Sequence, residues 1–493
     1  MSGFDIGVIV AYFVGIAAFG CSFYFRKDAG DAREFVEGGG RVPGWVLALS
    51  VFATYVSSIS FLALPAKAYL ADFNAFVLSL SIPVSGGIAA WLFVPYYRKV
   101  ASASAYADLE RRFGPWARLY ASGCFLAVQS VRSGMILFLL ALLLNTMLGL
   151  SFAACILVTG VTTIVYSMMG GIKAVVWTDA IQSFILIVGI VVVMAILCMT
   201  MPEGLSVGLQ DAWDAGKFSL GSFSLREWRS ETFWVTFLYG VFLNLQNFGI
   251  DQSYTQRYRA AKTTSEAVKS MFSGAMLYVP VSLCFMLTGT LLWIWCAQHP
   301  GIVPDHVAAR SDAVFPWFIV HRLPVGVSGL LVAAIIAAAM STISGTLNSG
   351  ATVLLEDYRK RFAKTAPTDR SNVRFLRLAT AGLGVFSIAI AFAVINVQSV
   401  LTTWWALQSV LSGGMLGLFL LGFFAKRTTS RAAAAATVLG VATVAWVVFG
   451  QKIPGVPSLL HVNLSLVLGT VVIVVVGAIS LSRRRRESGA LPA

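Results

Sequence analysis

The chain has 493 residues, 58% of them apolar and 12% charged, with a mean hydropathy of +0.80 and a formal net charge of +14. Soluble domains carry about 25% charged residues, so this composition excludes an ordinary water-soluble fold and leaves room for many membrane spans of about 20 residues. No GxxxxGK[ST], HExxH or CxxC pattern occurs, which speaks against ATP-driven transport and against zinc or dithiol chemistry.

Thirteen apolar stretches are predicted to span, at about 4–24, 44–70, 74–97, 119–147, 151–170, 177–200, 232–253, 268–297, 314–357, 378–396, 399–424, 432–450 and 462–481. The first follows a segment with no positive charge and is too long for a signal-peptide core, so it is read as a true span. The second contains Thr54, Tyr55, Ser57, Ser58 and Ser60. In hydrocarbon each unpaired polar group costs several kcal/mol. Such a cluster belongs against another helix, a water-filled cavity or a ligand, and a helix broken there frees carbonyls that can hold a cation.

Arg132 lies near the midpoint of the stretch 119–147 with no acidic residue in it. A central arginine costs at least about 2.5–3.5 kcal/mol on insertion scales. Its fork suits a carboxylate, which leaves either a bound solute or a structural partner such as Asp72 or Asp179. Hydropathy alone puts Asp179 one turn inside its span, an interfacial carboxylate near a helix N-terminus. In the stretch 232–253, Asn244, Gln246, Asn247, Gly249 and Asp251 suggest a second broken helix. The stretch 314–357 is too long for one span, so Ala313 to His321 is expected to be an outside amphipathic piece before a helix starting near Leu323. Within that helix Ala338, Ser341, Thr342 and Gly345 share a face. Hydroxyl oxygens suit a hard cation, although small and hydroxyl residues also serve simple helix packing.

Allotting loops alternately to two sides gives one side 28 of the 36 Lys and Arg, including Arg98, Lys99, the 257–269 and 359–377 segments and Arg483–Arg486. By the positive-inside rule the C-terminus is cytoplasmic and the N-terminus outside. The basic charge therefore reads as topology and lipid contact rather than nucleic-acid binding. The expected partners are the bilayer and a small molecule, with no obligatory protein partner.

The segments Gly38 to Trp45, Ser50 to Tyr69, Val175 to Ser183, Asn244 to Tyr258, Ala337 to Ser349 and Gly417 to Arg427 together resemble the sodium:solute symporter family, over about Glu37 to Arg427. The Ser50 to Phe61 wording, the Leu64-Pro65-Ala66-Lys67-Ala68 run and Arg132 look most like its sialic acid carriers. The resemblance implies an all-α polytopic protein of about 13 helices with a LeuT-like 5+5 inverted-repeat core. The whole chain, 1–493, is then one transport domain: an extra helix at 4–24, repeats at about 44–200 and 232–424, and C-terminal helices at 432–481. It implies a sodium site formed by Ala53, Val56 and Ala338 carbonyls with Ser341 and Thr342 hydroxyls. A second Na+ would use Asp179, Ser341, Ser344 and Gly345, where glycine replaces the family's serine. Solute contacts carried over are Tyr55, Ser57, Ser58, Ser60, Ser79, Arg132, Asn247 and Phe248. Tyr55 and Ser79 depart from the sialic acid carriers, which have a threonine and a glutamine there.

The function implied is sodium-coupled symport of a carboxylate-bearing solute by alternating access, not an enzyme. A neutral-sugar symporter, with Arg132 in a structural pair, and a non-transporting sensor are the alternatives. Energetics make the second ion matter. A tenfold sodium gradient supplies about 1.4 kcal/mol per ion, and one charge moving down about 100 mV supplies roughly 2.3 kcal/mol. One sodium with a monoanion is electroneutral and has about 1.4 kcal/mol available, whereas two sodiums have about 5.1 kcal/mol.

Overall fold

The computed structural model describes residues 2–23, 32–40, 42–100, 102–308, 311–364, 367–395, 400–412, 414–425, 427–450 and 460–488. Helices stand at all thirteen predicted stretches: α1 (Gly3–Ser22), α2 (Gly44–Tyr55), α3 (Ser58–Leu70), α4 (Asn74–Lys99), α5 (Pro115–Leu148), α6 (Phe152–Met169), α7 (Gly171–Met199), α8 (Phe233–Ile250), α9 (Gln252–Ala260), α10 (Thr264–Ala297), α11 (Ser311–Arg322), α12 (Val327–Val353), α13 (Asp369–Ala393), α14 (Val400–Leu411), α15 (Met415–Phe424), α16 (Ser430–Phe449) and α17 (Leu464–Ser488). Among the described residues nine helices are long and apolar enough to cross a membrane, and two bent pairs, α2 with α3 and α14 with α15, bring the number to eleven. The other two predicted stretches are α8, made less apolar by its amides, and the shorter apolar segment Leu464–Ile479. The side chains of the Arg483–Arg486 run lie outside the described residues.

The boundaries follow local chemistry. Gly114 at φ 95° and Pro115 at the first helical position start α5, and Gly149, left-handed at φ 65°, ends it. Gly171, at φ 60° and ψ −165°, separates α6 from α7. A side chain there would stand 2.9 Å from the Phe35 carbonyl oxygen, so the bend needs glycine on both counts. Asp5, buried at the start of α1, accepts from the Ser2 amide and from the amides of Gly326 (2.7 Å) and Gly329 (3.1 Å). One carboxylate thereby caps two helix N-termini and pins α1 to α12.

α12 is the hub. Its side chains are buried without interruption from Leu331 to Val353, and it packs against α1, α5, α7 and α13. Helix α10 lies along both α2 and α3, and the approach is close enough that a Cβ on Gly289 would fall 2.1 Å from the Pro65 carbonyl oxygen. Small residues at such crossings are how membrane helices gain contact where hydrophobic burial gives no drive. The amphipathic piece predicted at Ala313 to His321 is α11, and its Val314, Phe315, Phe318 and Ile319 are fully buried against the rest of the protein. The following helix starts at Val327 instead of Leu323, because Pro324 and Gly326 (φ 89°) intervene.

Candidate functional site

The polar cluster of the second span is a helix break. Val56 (φ −73°, ψ 132°) and Ser57 (φ −135°, ψ 174°) are extended, and α3 departs from α2 at 56°. Carbonyls in the last turn of α2 thereby lose the amides that a continuing helix would bring. The Thr54 carbonyl is taken by Arg132 Nη2 at 3.1 Å. The Ala53 and Val56 carbonyls face α12, where Ser341 Oγ lies 3.5 Å from the first and Thr342 Oγ1 2.9 Å from the second and 3.1 Å from the Ala338 carbonyl. The five oxygens expected for the main sodium site fall into two groups on the α2–α12 seam, Ser341 with Ala53 and Thr342 with Val56 and Ala338. They are hard, uncharged donors, the set suited to a small monovalent cation.

Asp179 is not interfacial. The helix begins at Gly171, well before the predicted span edge, and Asp179 is completely buried. It receives the Ser341 hydroxyl hydrogen at 2.7 Å on one oxygen; on the other it receives Ser50 Oγ at 2.5 Å and Arg257 Nη2 at 2.8 Å. With its hydrogen on Asp179, Ser341 presents lone pairs toward the α2 carbonyls. Ser344, expected beside Asp179, donates instead to the Ser341 carbonyl at 3.0 Å. Gly345 faces Arg257, whose Nη2 would stand 3.1 Å from a Cβ there. Of the four residues expected to form a second sodium site, Asp179 and Gly345 stand against the Arg257 guanidinium, Ser341 reaches it through Asp179, and Ser344 turns to its own helix backbone.

Beyond the break a cavity of about 90 Å³ opens, enough for several waters or a small polar solute. Six of the eight predicted solute contacts line it: Tyr55, Ser57, Ser60, Ser79, Arg132 and Asn247. Ser58 and Phe248 do not. Ser58 is fully buried with an unpartnered Oγ, and Phe248 lies behind Tyr55 as a stacking neighbour, centroids 5.6 Å apart. Tyr55 also meets Tyr278 at 4.3 Å and donates its hydroxyl to Asn244 Oδ1. Asn244 in turn donates to Ser81 Oγ at 2.9 Å. The second break is confined to Asp251, which caps α9 through the Ser253 amide (2.7 Å), while Asn244 to Asn247 remain helical. Tyr254, Tyr278, Trp404, Trp405 and Gln408 also line it, with five apolar residues between them, and were not foreseen. Aromatic residues in apolar stretches carry no signal separating cavity walls from lipid-facing positions.

Among the described ion pairs none includes Arg132. The two aspartates considered as its structural partners are engaged elsewhere, Asp179 with Arg257 and Asp72 with the Asn74 amide at 3.0 Å. The nearby Asp251 takes Gln129 Nε2 at 2.6 Å as well as its capping amide. On the basic side the helices are tied by Arg259–Glu37 (2.8 Å), Arg118–Asp357 (2.6 Å) and Arg361–Glu110.

An oxygen cluster at a helix break, beside a cavity entered by one half-buried cation, is an arrangement suited to an ion-coupled carrier. The sequence pattern of the sodium:solute symporter family matches residues 35–440, and the chain belongs to that family. It is 31% identical over 473 residues to a sodium/sialic acid symporter of Aliivibrio fischeri, covering 95% of this chain and 91% of that protein. A solved Na+-coupled sialic acid symporter, in a substrate-bound outward-open state, superposes with a TM-score of 0.90 at 29% identity, covering 98% of each chain. Mhp1, a nucleobase-cation symporter, shares the fold alone, at TM-score 0.57 and 14% identity, over 91% of this chain and 94% of that one. The protein is a multi-pass membrane transporter with the LeuT-like architecture of these symporters and uses Na+ as its coupling ion.

Proposed function

We propose that the protein imports a carboxylate-bearing sugar acid, with sialic acid as the leading substrate, in symport with sodium across a bacterial inner membrane. The observation that carries this reading is Arg132. A membrane-embedded guanidinium that lines a cavity and has no carboxylate in ion-pair contact among the described pairs is suited to take one from a solute. Ser57 and Ser60 from the break, with Ser79 and Asn247, would bond the remaining oxygens. Ala53, Val56, Ala338, Ser341 and Thr342 would hold the sodium.

The geometry supports a coupling route. Sodium on the Ala53 and Val56 carbonyls fixes the angle between α2 and α3, and that angle sets where Tyr55, Ser57 and Ser60 stand in the cavity. The solute therefore meets a formed pocket only when the ion is present, which is positive linkage between two cargoes. Alternating access would follow from opening the ion pairs on the basic side, taken as cytoplasmic, with the N-terminus outside and the whole chain acting as one transport unit.

The test is uptake of radiolabelled N-acetylneuraminate into proteoliposomes under an inward sodium gradient. Accumulation that disappears when sodium is replaced by potassium, and that competing sugar acids but not neutral sugars inhibit, is the expected result. Inhibition by neutral sugars alone would overturn the carboxylate reading and favour the neutral-sugar alternative.

A further inference from the structure

Arg257 is 1% exposed, at the centre of a membrane protein, and the solute cavity does not include it. Its whole fork is engaged: Nε donates to Ser50 Oγ at 2.7 Å, Nη1 to the Ser253 carbonyl at 2.6 Å and Nη2 to Asp179 Oδ2 at 2.8 Å. The fully buried carboxylate of Asp179 is thus neutralised by a charge belonging to the chain itself. Around it lie the hydroxyls of Ser50 and Ser341, with Ser344 one turn along, an oxygen-rich acidic pocket of the type that takes a cation.

We propose that the Arg257 guanidinium is a built-in cation, that it occupies the position a second sodium would need at Asp179, and that the chain consequently binds one sodium per transport cycle. The inference rests on the sodium reading of the α2–α12 oxygen cluster.

Three observations converge on it. The first is charge. Asp179 and Arg257 already sum to zero, so an added sodium would leave an uncompensated positive charge in a fully buried site. The second is space. A Cβ at position 345 would stand 3.1 Å from Nη2, tighter than ordinary carbon–nitrogen contact, so the glycine leaves that volume to the guanidinium. A side chain carrying an oxygen there would press on the guanidinium and push it back by some tenths of an ångström. The third is hydrogen bonding. Ser50 receives from Nε and gives its own hydrogen to Asp179, so that hydroxyl is committed to the pair, while Ser341 gives its hydrogen to the other carboxylate oxygen and keeps its lone pairs for the α2 side. Gly345 therefore removes a would-be ion ligand and admits the group that takes the ion's place. Two consequences follow for a monoanionic solute: transport is electroneutral, and the membrane potential adds nothing to accumulation.

The experiment counts ²²Na⁺ bound at saturation to the purified full-length protein in nanodiscs, with no organic solute. The wild type is expected to bind one ion per chain. Asp179→Asn should bind the same number, because Asp179 is not a sodium ligand. Arg257→Met, which keeps the stem and removes the charge, should gain one ion over wild type, and Arg257→Met/Asp179→Asn should lose that gain. Two ions on the wild type would overturn the proposal, as would one fewer on Asp179→Asn or no gain in an Arg257→Met protein that elutes like wild type. If Arg257→Met does not fold, the comparison of wild type with Asp179→Asn decides. A wild type that binds no ion, with a gain in Arg257→Met, would uphold the built-in cation and remove the sodium reading of the α2–α12 cluster.

Discussion

Thr342 holds its hydroxyl 2.9 Å from the Val56 carbonyl, joining the middle of the most enclosed helix to the point where α2 breaks. In the ion-free arrangement the hydroxyl hydrogen satisfies a helix-end carbonyl. With sodium between them, both oxygens turn lone pairs to the ion. Thr342→Ala removes one of five donors and leaves the Val56 carbonyl without a partner. Sodium affinity, read as the half-saturating sodium for uptake, is expected to weaken by about tenfold or more, the size of one lost hydrogen-bonding group of about 1–3 kcal/mol. Thr342→Ser keeps the oxygen and should stay near wild type. Equal sodium dependence in all three proteins would remove Thr342 from the site.

Arg132→Ala should abolish measurable uptake of acidic solutes while leaving sodium binding in place. A charge-assisted bidentate contact is worth about 1.5–3 kcal/mol, or roughly 10–150-fold in affinity. Arg132→Lys keeps the charge without the planar fork and should recover only part of this. Sodium binding measured alongside separates a lost solute contact from a lost fold, because Arg132 also holds the Thr54 carbonyl.

Tyr55 narrows the cavity from the break side, wedged between Tyr278 and Phe248. Tyr55→Thr removes a ring and should shift the selectivity ranking toward bulkier carboxylates. The measurement is competition of labelled uptake by acids of increasing size. An unchanged ranking would show that the opposite wall, Trp404, Trp405 and Gln408, sets the size limit.

Gly289→Ala places a methyl carbon 2.1 Å from the Pro65 carbonyl oxygen, and a backbone atom cannot rotate away as a side chain does. The variant should be destabilised by about 1–3 kcal/mol or more, as for other overpacked sites. Thermal unfolding in detergent measures it. Gly382→Ala, where no atom lies within 4 Å of a Cβ, is the matched control and should be neutral.

Arg361 donates to Glu110, and with Arg118 at 3.1 Å it holds that carboxyl below the usual carboxylate range. A carboxyl with a depressed folded-state pKa contributes stability that is complete above its unfolded value and is lost as the pH falls through the folded value. Thermal stability should therefore decline on acidification from about pH 5 downward. Glu110→Gln should be less stable than wild type at neutral pH and show a smaller decline. Parallel curves for the two proteins would mean that this pair does not brace the fold.

Much of this was legible in the chain because membrane burial punishes polarity. The threonine, tyrosine and serines at 54–60 and the arginine at 132 had to have partners, which pointed to the break, while the ion ligands and the cavity contacts were legible only through the family resemblance. What remained hidden has physical reasons as well. Trp404, Trp405 and Tyr278 look like any apolar span residues. Arg257 sits in a segment whose basic residues fit a topology count, so its burial left no trace in hydropathy. Asp179 looked interfacial because Lys173 and Thr178 shorten the apolar stretch, whereas the bend at Gly171 lets the helix start earlier and carry the carboxylate inward.

Helix α9 is only nine residues long, yet it carries Arg257 to Asp179 at one end of its reach and Arg259 to Glu37 at the other. Two residues apart, the arginines leave the same short rod for different partners, one for the carboxylate that holds Ser341 and one for Glu37 on the basic side. A rod pinned by two such pairs ties the surroundings of Ser341, through Asp179, to the segment that carries Glu37.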